Sequence, residues 1–148
     1  IGAGHISIPL VGFAHALDFR TVVIDPRQVF ATPERFPEVP DQLLAQSPQT
    51  ILDHWDLNED TYAVVLTHDP EIDDEALHCF LHSPVSYIAA LGSRKSHAKR
   101  CIRLGQAGFN QAALARIKGP AGLDIRAKTP TEIALSIIAE IIATKRNR

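Results

Sequence analysis

Apolar residues follow two alternating patterns along the chain: short β-branched runs, and longer stretches with helical spacing. The runs at 21–24, 62–66 and 85–91 predict buried strands, and 50–52 predicts one more short strand. The stretches at 6–17, 71–81, 94–106 and from 130 onward predict helices. Strands that alternate with helices in this way are typical of a parallel sheet covered on both faces. The pattern therefore predicts an α/β fold, a three-layer Rossmann-like domain with a mostly parallel sheet.

The first residues of the chain predict a phosphate-binding turn. Ile1 is predicted to end a buried strand, and Gly2 and Gly4 follow it just before the first helix. Glycines let the backbone approach a phosphate closely, and free amides at the start of a helix attract an anion. Ser7 stands where the dinucleotide fingerprint has its third glycine. We expect an anion site at this turn, with His5 either contacting the ligand or packing against the turn.

An acid follows the next predicted strand, near the position where the fingerprint has the acid that binds ribose hydroxyls. Asp25 could bind a ribose diol, whereas Arg27 could pair with a phosphate or a pterin substituent. A surface ion pair between the two is the remaining alternative. Because an acid repels a 2′-phosphate and a guanidinium attracts one, the sequence leaves the choice between NAD and NADP open.

Two later strands also end in residues suited to ligand binding. His68 and Asp69 follow the first of them, either as a base with its orienting partner or with Asp69 as a helix cap. Gly92, Ser93 and Arg94 follow the second, where a backbone amide, a hydroxyl and a cation could meet a phosphate. Since parallel strands end at one edge of a sheet, we expect these residues and the glycine turn to line one site.

The last helix carries its own start signal. Thr129 with Glu132 predicts a capping box, and Pro130 suits the first helical position. Glu140 borders the apolar stripe of this helix, where a carboxylate is costly to bury without a partner. We expect Glu140 to meet a backbone amide or a cation.

Composition narrows the class of protein. The 148 residues have a formal net charge of −2 and 45% hydrophobic residues, which predicts a globular domain that does not bind nucleic acid. Without a long apolar run or a signal peptide, we expect a cytoplasmic protein with no membrane partner. The chain lacks Met and starts at the end of a predicted strand. We therefore expect residues 1–148 to be one domain of a longer chain, without its N-terminal region and most of the first strand.

The remaining reactive side chains do not predict a metal or catalytic site. Cys79 and Cys101 are far apart in sequence, and we interpret both as core thiols. His78 and His82 have the spacing of two metal ligands on a helix, but without a third ligand we expect a solvated pair. The chain has neither a nucleophile elbow nor a Walker lysine. We predict no metal and no catalytic residue.

Six sequence blocks carry a resemblance to a known family. They are Gly-Ala-Gly-His at 2–5, Asp-Pro-Arg at 25–27, Leu-Thr-His-Asp at 66–69, Leu-Gly-Ser-Arg at 91–94, Gly-Pro-Ala-Gly-Leu-Asp at 119–124, and the start of the last helix at 129–141. Together they resemble the C-terminal Rossmann-like domain of the XdhC/CoxI family, the xanthine dehydrogenase accessory proteins. The resemblance spans nearly the whole chain, and its last two blocks are the most specific.

The resemblance implies a maturation chaperone rather than an enzyme. Such proteins bind molybdenum cofactor, support its sulfuration with a cysteine desulfurase, and deliver it to a molybdenum hydroxylase such as xanthine dehydrogenase, commonly as homodimers. The residues expected to bind the cofactor, in a mononucleotide or dinucleotide form left open, are Gly2, Gly4, His5, Asp25, Arg27, His68, Asp69, Gly92, Ser93 and Arg94.

Two alternatives remain open. The same fold and turn would suit an NAD(P)-binding oxidoreductase or redox sensor. The altered third glycine and the isoleucine-rich last helix would suit a structural dimerisation module.

Overall fold

Five short strands and six α-helices alternate along the chain in a computed structural model that describes residues 1–148. The strands are β1 (Val22–Ile24), β2 (Gln42–Leu44), β3 (Tyr62–Val65), β4 (Tyr87–Ala90) and β5 (Ile117–Lys118). The helices are α1 (Ser7–Ala16), α2 (Pro48–Leu52), α3 (Pro70–Leu81), α4 (Arg94–Gln106), α5 (Gln111–Leu114) and α6 (Pro130–Arg146), with a short 3-10 helix at Pro33–Arg35. None of these helices is both long and apolar enough to span a bilayer.

The strands form two parallel ladders joined by the first two residues. β1 pairs with β2, and β3, β4 and β5 pair in that order. Between β1 and β3, the Gly2 amide donates to the Ile24 carbonyl at 2.8 Å. The Ile1 carbonyl accepts from the Leu66 amide, also at 2.8 Å. Residues 1–2 therefore link the two ladders into one parallel layer.

Successive side chains of β3 supply two separate cores. Val64 packs in a cluster with Ala14 of α1 and Ile137 of α6. Val65 packs in a second cluster with Leu77 of α3 and Leu104 of α4. Because neighbouring strand residues point to opposite faces, helices cover both faces of the layer. The predicted three-layer α/β fold is confirmed.

The structure corrects one predicted element and adds others. The strand predicted at 50–52 is wrong, because this segment belongs to helix α2. The Ser47 hydroxyl accepts from the Thr50 amide at 3.3 Å and Pro48 takes the first helical position, so the local start signal outweighs the β-branched pair. β2, α5 and β5 are short elements that the apolar pattern did not reveal.

Helix α6 begins as predicted and holds the preceding loop. Thr129 and Glu132 form a complete capping box. The Glu140 carboxylate accepts from the Tyr87 hydroxyl at 2.6 Å and from the Gly122 amide at 3.1 Å. The expectation that Glu140 meets a backbone amide is confirmed, and these bonds tie the loop after β5 to α6.

Candidate functional site

The glycine turn between residues 1 and 7 lies against the end of β3. Gly2 has φ +106°, and a Cβ there would lie 2.9 Å from the Thr67 Cγ2 atom and 3.2 Å from the Leu66 carbonyl carbon. Only glycine fits this position without displacing backbone. The Ser7 hydroxyl donates to the Gly2 carbonyl. The residue that replaces the third glycine therefore closes the turn with its own hydrogen bond.

The space beside Gly4, just before α1, is open, and no side chain caps the first amides of this helix. A Cβ on Gly4 would meet no heavy atom within 4 Å. No side chain caps α1, and its first turn holds no acidic residue, whereas a side chain caps each of the other five α-helices. The first amides of a helix carry partial positive charge and no intrahelical partner. These amides are available to an anion.

Asp25 is fully buried where β1 ends, and it accepts four hydrogen bonds. One carboxylate oxygen accepts from the backbone amide of Arg27 at 2.9 Å and from its Nε at 2.9 Å. The other accepts from the Ala3 amide at 2.9 Å and from Arg27 Nη2 at 2.8 Å. A carboxylate offers about four lone-pair positions, so Asp25 has none left for a ribose hydroxyl.

These contacts set the charge of Asp25. Burial raises its pKa, but the hydrogen bonds from the Arg27 side chain and from the Ala3 and Arg27 amides outweigh burial, so the pKa lies below its ordinary value. The same ion pair raises the pKa of Arg27. The acid of the fingerprint is thus an internal counter-ion that fixes the glycine turn through Ala3.

A second arginine lies beside this pair. The Arg27 and Arg35 guanidinium carbons lie 4.3 and 5.0 Å from the centre of the Phe30 ring. Arg35 donates to the carbonyls of Ala3 and Phe30. Arg27, Arg35 and Asp25 together carry a net positive charge, and the charges of Asp69 and Asp73 also act on Arg27.

The turn after β3 contains a buried acid that the sequence pattern did not reveal. Asp73 in the first turn of α3 accepts from the Thr67 hydroxyl at 2.6 Å. Asp69 caps α3 by accepting from the Glu71 amide at 2.9 Å, which is the second of the two roles considered for it. His68 is exposed with φ +63°, and its ring makes no hydrogen bond to Asp69. The structure therefore contains no base-and-partner pair at 68–69.

We expect the Asp73→Asn variant to be more stable than the wild type at pH 7. Burial raises the pKa of Asp73 and outweighs its bonds from Thr67, so the fold favours the protonated form. The contribution of the Asp73 carboxyl to the free energy of unfolding is therefore fully present below its ordinary pKa of about 4. It is lost as the pH rises through the higher pKa that the group has in the folded protein. Asparagine keeps an acceptor for Thr67, so the free energy of unfolding should rise by on the order of 1 kcal/mol.

Urea denaturation at pH 5 and pH 8 measures this difference, with Asp74→Asn as the control. Asp74 lies on the same helix but pairs with Arg103 at 2.7 Å near the surface. A loss of stability in Asp73→Asn of equal size at both pH values would contradict the expectation.

The turn after β4 joins the same edge through Arg100. Ser93 caps α4 by accepting from the Ser96 amide at 3.1 Å. Arg100 lies buried under this turn, where its Nη2 donates to the Leu91 carbonyl at 2.9 Å. Gly92 has φ +132°, with a Cβ position 3.8 Å from Arg100 Nη2. Arg94 is exposed and its side chain makes no hydrogen bond.

The predicted site residues therefore divide into two groups. Asp25 and Arg27 are in direct contact and are joined to the turn after Gly2 through the Ala3 amide, whereas His5 and His68 are exposed side chains without hydrogen bonds. The sequence reasoning missed Asp73. Helical spacing could have indicated that it is buried, because Asp73 lies three and four positions before buried Ala76 and Leu77.

Two cavities in the structure lie away from most of the predicted site. The first, about 520 Å³, lies between β1 and β3 and reaches only Gly2 of the predicted residues. The second, about 1040 Å³, lies between α2, α3 and α4, and His78 and His82 line part of it. Both rings pack against Phe109, with centroids 4.7 and 5.0 Å away. No group of three potential ligands for a metal ion is present.

The parallel layer, the glycine turn and the acid after β1 define a Rossmann-like domain. The chain belongs to the XdhC family: the model of the XdhC Rossmann domain matches residues 1–141. The family predicted from the six sequence blocks is confirmed.

Named relatives agree with this membership. The chain is 33% identical over 145 residues to a probable xanthine dehydrogenase subunit of Bacillus subtilis, covering 98% of this chain and 42% of that protein. It is 32% identical over 147 residues to the uncharacterized protein YqeB of Escherichia coli, covering 99% and 27%. It is 27% identical over 89 residues to the molybdenum cofactor insertion chaperone PaoD of Escherichia coli, covering 60% and 28%.

A solved structure has the same fold. A crystal structure of a xanthine dehydrogenase from Bacillus halodurans matches with a TM-score of 0.84 and 35% identity, covering 99% of this chain and 41% of that one. The chain thus spans less than half the length of each of these relatives.

Proposed function

We propose that the chain is the cofactor-binding domain of a molybdenum cofactor accessory protein. This chaperone assists sulfuration of the cofactor and its insertion into xanthine dehydrogenase or a related molybdenum hydroxylase in the cytoplasm. Membership of the XdhC family and the names of two relatives support the proposal. Because the chain spans 27% to 42% of the length of its relatives, we propose that it works as one domain of a longer protein.

One observation carries the binding part of the proposal: the uncapped start of α1 beside an open Gly4. Every other α-helix uses a side-chain oxygen to satisfy its first amides. α1 has no such oxygen and no first-turn acid to repel an anion. The geometry supports a phosphate contact there, through the amides that follow Gly4.

The surrounding residues suit an anionic pterin phosphate as the cargo. Arg27, whose side chain is 31% exposed, and the exposed Arg94 would neutralise its charge. Gly2, Gly92 and Ser93 would contribute backbone and hydroxyl donors, and His5, His68 and Asp69 would lie at the rim. Asp25 would act through Arg27 and Ala3 rather than by touching the ligand. The bound cofactor would supply the molybdenum centre that the client enzyme uses.

The alternative of an NAD(P)-binding oxidoreductase or redox sensor rests on the Rossmann fold and the glycine turn. The burial of Asp25 counts against NAD, because both oxygens that would hold a ribose diol already accept two hydrogen bonds each. The net positive charge of Arg27, Arg35 and Asp25 favours a ligand with an anionic group at this position.

The proposal also involves partner proteins. A cysteine desulfurase would supply the sulfur, and a molybdenum hydroxylase would receive the cofactor. A homodimer would cover exposed apolar side chains near the start of α6, namely Leu123, Ile125 and Leu135, which are 44%, 49% and 48% exposed.

Equilibrium binding of molybdenum cofactor, NAD and NADP to the purified protein tests the proposal. We expect the cofactor to bind, and Gly4→Val and Arg94→Ala each to weaken binding about tenfold or more. The matched controls are Gly12→Val, which makes the same change at another open position, within α1 rather than before it, and Arg146→Ala at the far end of α6. Tight binding of a nicotinamide nucleotide alone, with hydride transfer, would overturn the proposal.

A further inference from the structure

Three side chains of α4 form a cluster that adjoins the proposed cofactor site only through Arg100, which lies under the turn at Leu91 and Gly92. The Cys101 sulfur lies 3.5 Å from His97 Nε2. On the other side of the ring, His97 Nδ1 lies 3.3 Å from Arg100 Nη1. The ring also rests on Gly119, where a Cβ would come 2.2 Å from Nδ1. The imidazole is therefore held between a thiol, a guanidinium and the backbone after β5.

Arg100 determines which nitrogen of His97 carries the hydrogen. A guanidinium has only donors, so Nδ1 must accept from it and be unprotonated. Burial lowers the pKa of His97, and the charge of Arg100 lowers it further, so the ring is neutral near pH 7. A neutral ring with an unprotonated Nδ1 has its hydrogen on Nε2. His97 thus donates to the Cys101 sulfur, which stabilises a negative charge there.

Arg100 also has unused hydrogen-bonding capacity in this cluster. Arg100 is 6% exposed, and its Nε atom is buried without a hydrogen-bond partner. A buried guanidinium with an unpaired donor is a source of positive potential beside the thiol. The Cys101 sulfur therefore lies beside a His97 donor whose tautomer is fixed by the buried Arg100 guanidinium.

The other cysteine has the opposite surroundings. Burial raises the pKa of the Cys79 thiol, and the charges of Asp53 and Glu75 raise it further. By contrast, residues 94–118 include no Asp or Glu, and the acids of α3 that reach α4, Asp73 and Asp74, act on Arg100, while Asp74 also pairs with Arg103. Cys79 is therefore an internal reference with the same chemistry in an electronegative setting.

We propose that Cys101 and His97 form a reactive thiol site for disulfides of small thiols. Cys101 loses its proton to solvent, and the sulfur attacks one sulfur of the disulfide. A new S–S bond forms as the original one breaks, and the second sulfur leaves as a thiolate that takes a proton from water. His97 is a positioning residue that donates to the Cys101 sulfur throughout and gives up no proton.

Reaction of the reduced, purified protein with oxidised glutathione tests this site, with the modified fraction followed by intact mass. We expect Cys79→Ser, which keeps Cys101, to react about tenfold faster than Cys101→Ser, which keeps Cys79. Adding His97→Phe to Cys79→Ser should slow the reaction about tenfold, because the donor to the sulfur is lost. Adding Gly119→Ala should slow it too, because the new methyl group displaces the ring.

The comparison of the two single-cysteine proteins decides the proposal even if a His97 variant does not fold. Equal rates, or a faster reaction at Cys79, would overturn it. An unchanged Cys101 rate in a folded His97→Phe or Gly119→Ala protein would also overturn it, because the thiol would then react without its histidine. Thermal melting of each variant establishes that it is folded.

Discussion

Replacing Asp25 with alanine should lower the free energy of unfolding at pH 7 by about 3 to 5 kcal/mol. The change removes a fully buried carboxylate that accepts four hydrogen bonds. Arg27 loses its counter-ion and the Ala3 amide loses its acceptor, so a charge and a donor are left unpaired. Urea denaturation of wild type and Asp25→Ala measures the difference.

The pH dependence of this difference supplies its control. The pKa of Asp25 is depressed in the fold, so its stabilising contribution is present above the ordinary value of about 4 and is lost as pH falls through the folded value. The difference in free energy of unfolding between wild type and Asp25→Ala should therefore become smaller as the pH is lowered. Asp124→Ala, at an exposed acid in the loop before α6, should cost less than about 0.5 kcal/mol. Equal losses from the two substitutions would contradict the role of Asp25 described above.

Replacing Gly2 with alanine should cost about 2 to 4 kcal/mol of unfolding free energy and distort the ligand turn. The residue has φ +106°, and the added methyl group would overlap Thr67 and the backbone at the end of β3. Gly4→Ala is the matched control two residues away, because its methyl group would meet nothing within 4 Å. Thermal melting should show a large fall for the first variant and almost none for the second.

Substitutions at Gly2 and Gly4 also distinguish an effect on folding from an effect on ligand binding. Gly4 borders the proposed phosphate position, so a larger side chain there should reduce cofactor affinity in a protein that melts normally. Similar melting temperatures for Gly2→Ala and wild type would show that the strained turn is not required by the fold.

The hydrophobic periodicity of the sequence predicted the helices and strands that bury a continuous apolar face. It missed the elements that have no such face. The strands at 62–66 and 85–91 were evident because they are buried on both sides. β2 has only three residues, all partly buried, so it leaves no alternation to detect. The segment at 50–52 was misassigned because the β preference of Thr50 and Ile51 masks the start signal of Ser47 and Pro48.

From the sequence, the candidate site could be predicted only for the residues that directly follow a strand. The sequence indicated that Gly2, Asp25 and Arg27 lie at one edge, and the structure joins Asp25 to Arg27 directly and to the glycine turn through the Ala3 amide. It could not distinguish a ribose-binding acid from an ion pair, because that depends on side-chain conformation and on the contact with Ala3, 22 residues away. Asp73 and Arg100 were overlooked because charged residues are rarely buried.

The bond between Gly2 and β1 has a consequence for how ligand binding could be observed. The same residue opens the proposed phosphate turn and joins the two ladders, so fixing the turn also suppresses local separation of β1 from β3. The Gly2 and Leu66 amides, which donate across this junction, would then exchange their hydrogens with deuterated water more slowly when cargo is bound. Amide exchange at the centre of the sheet thus reports on occupancy at its edge.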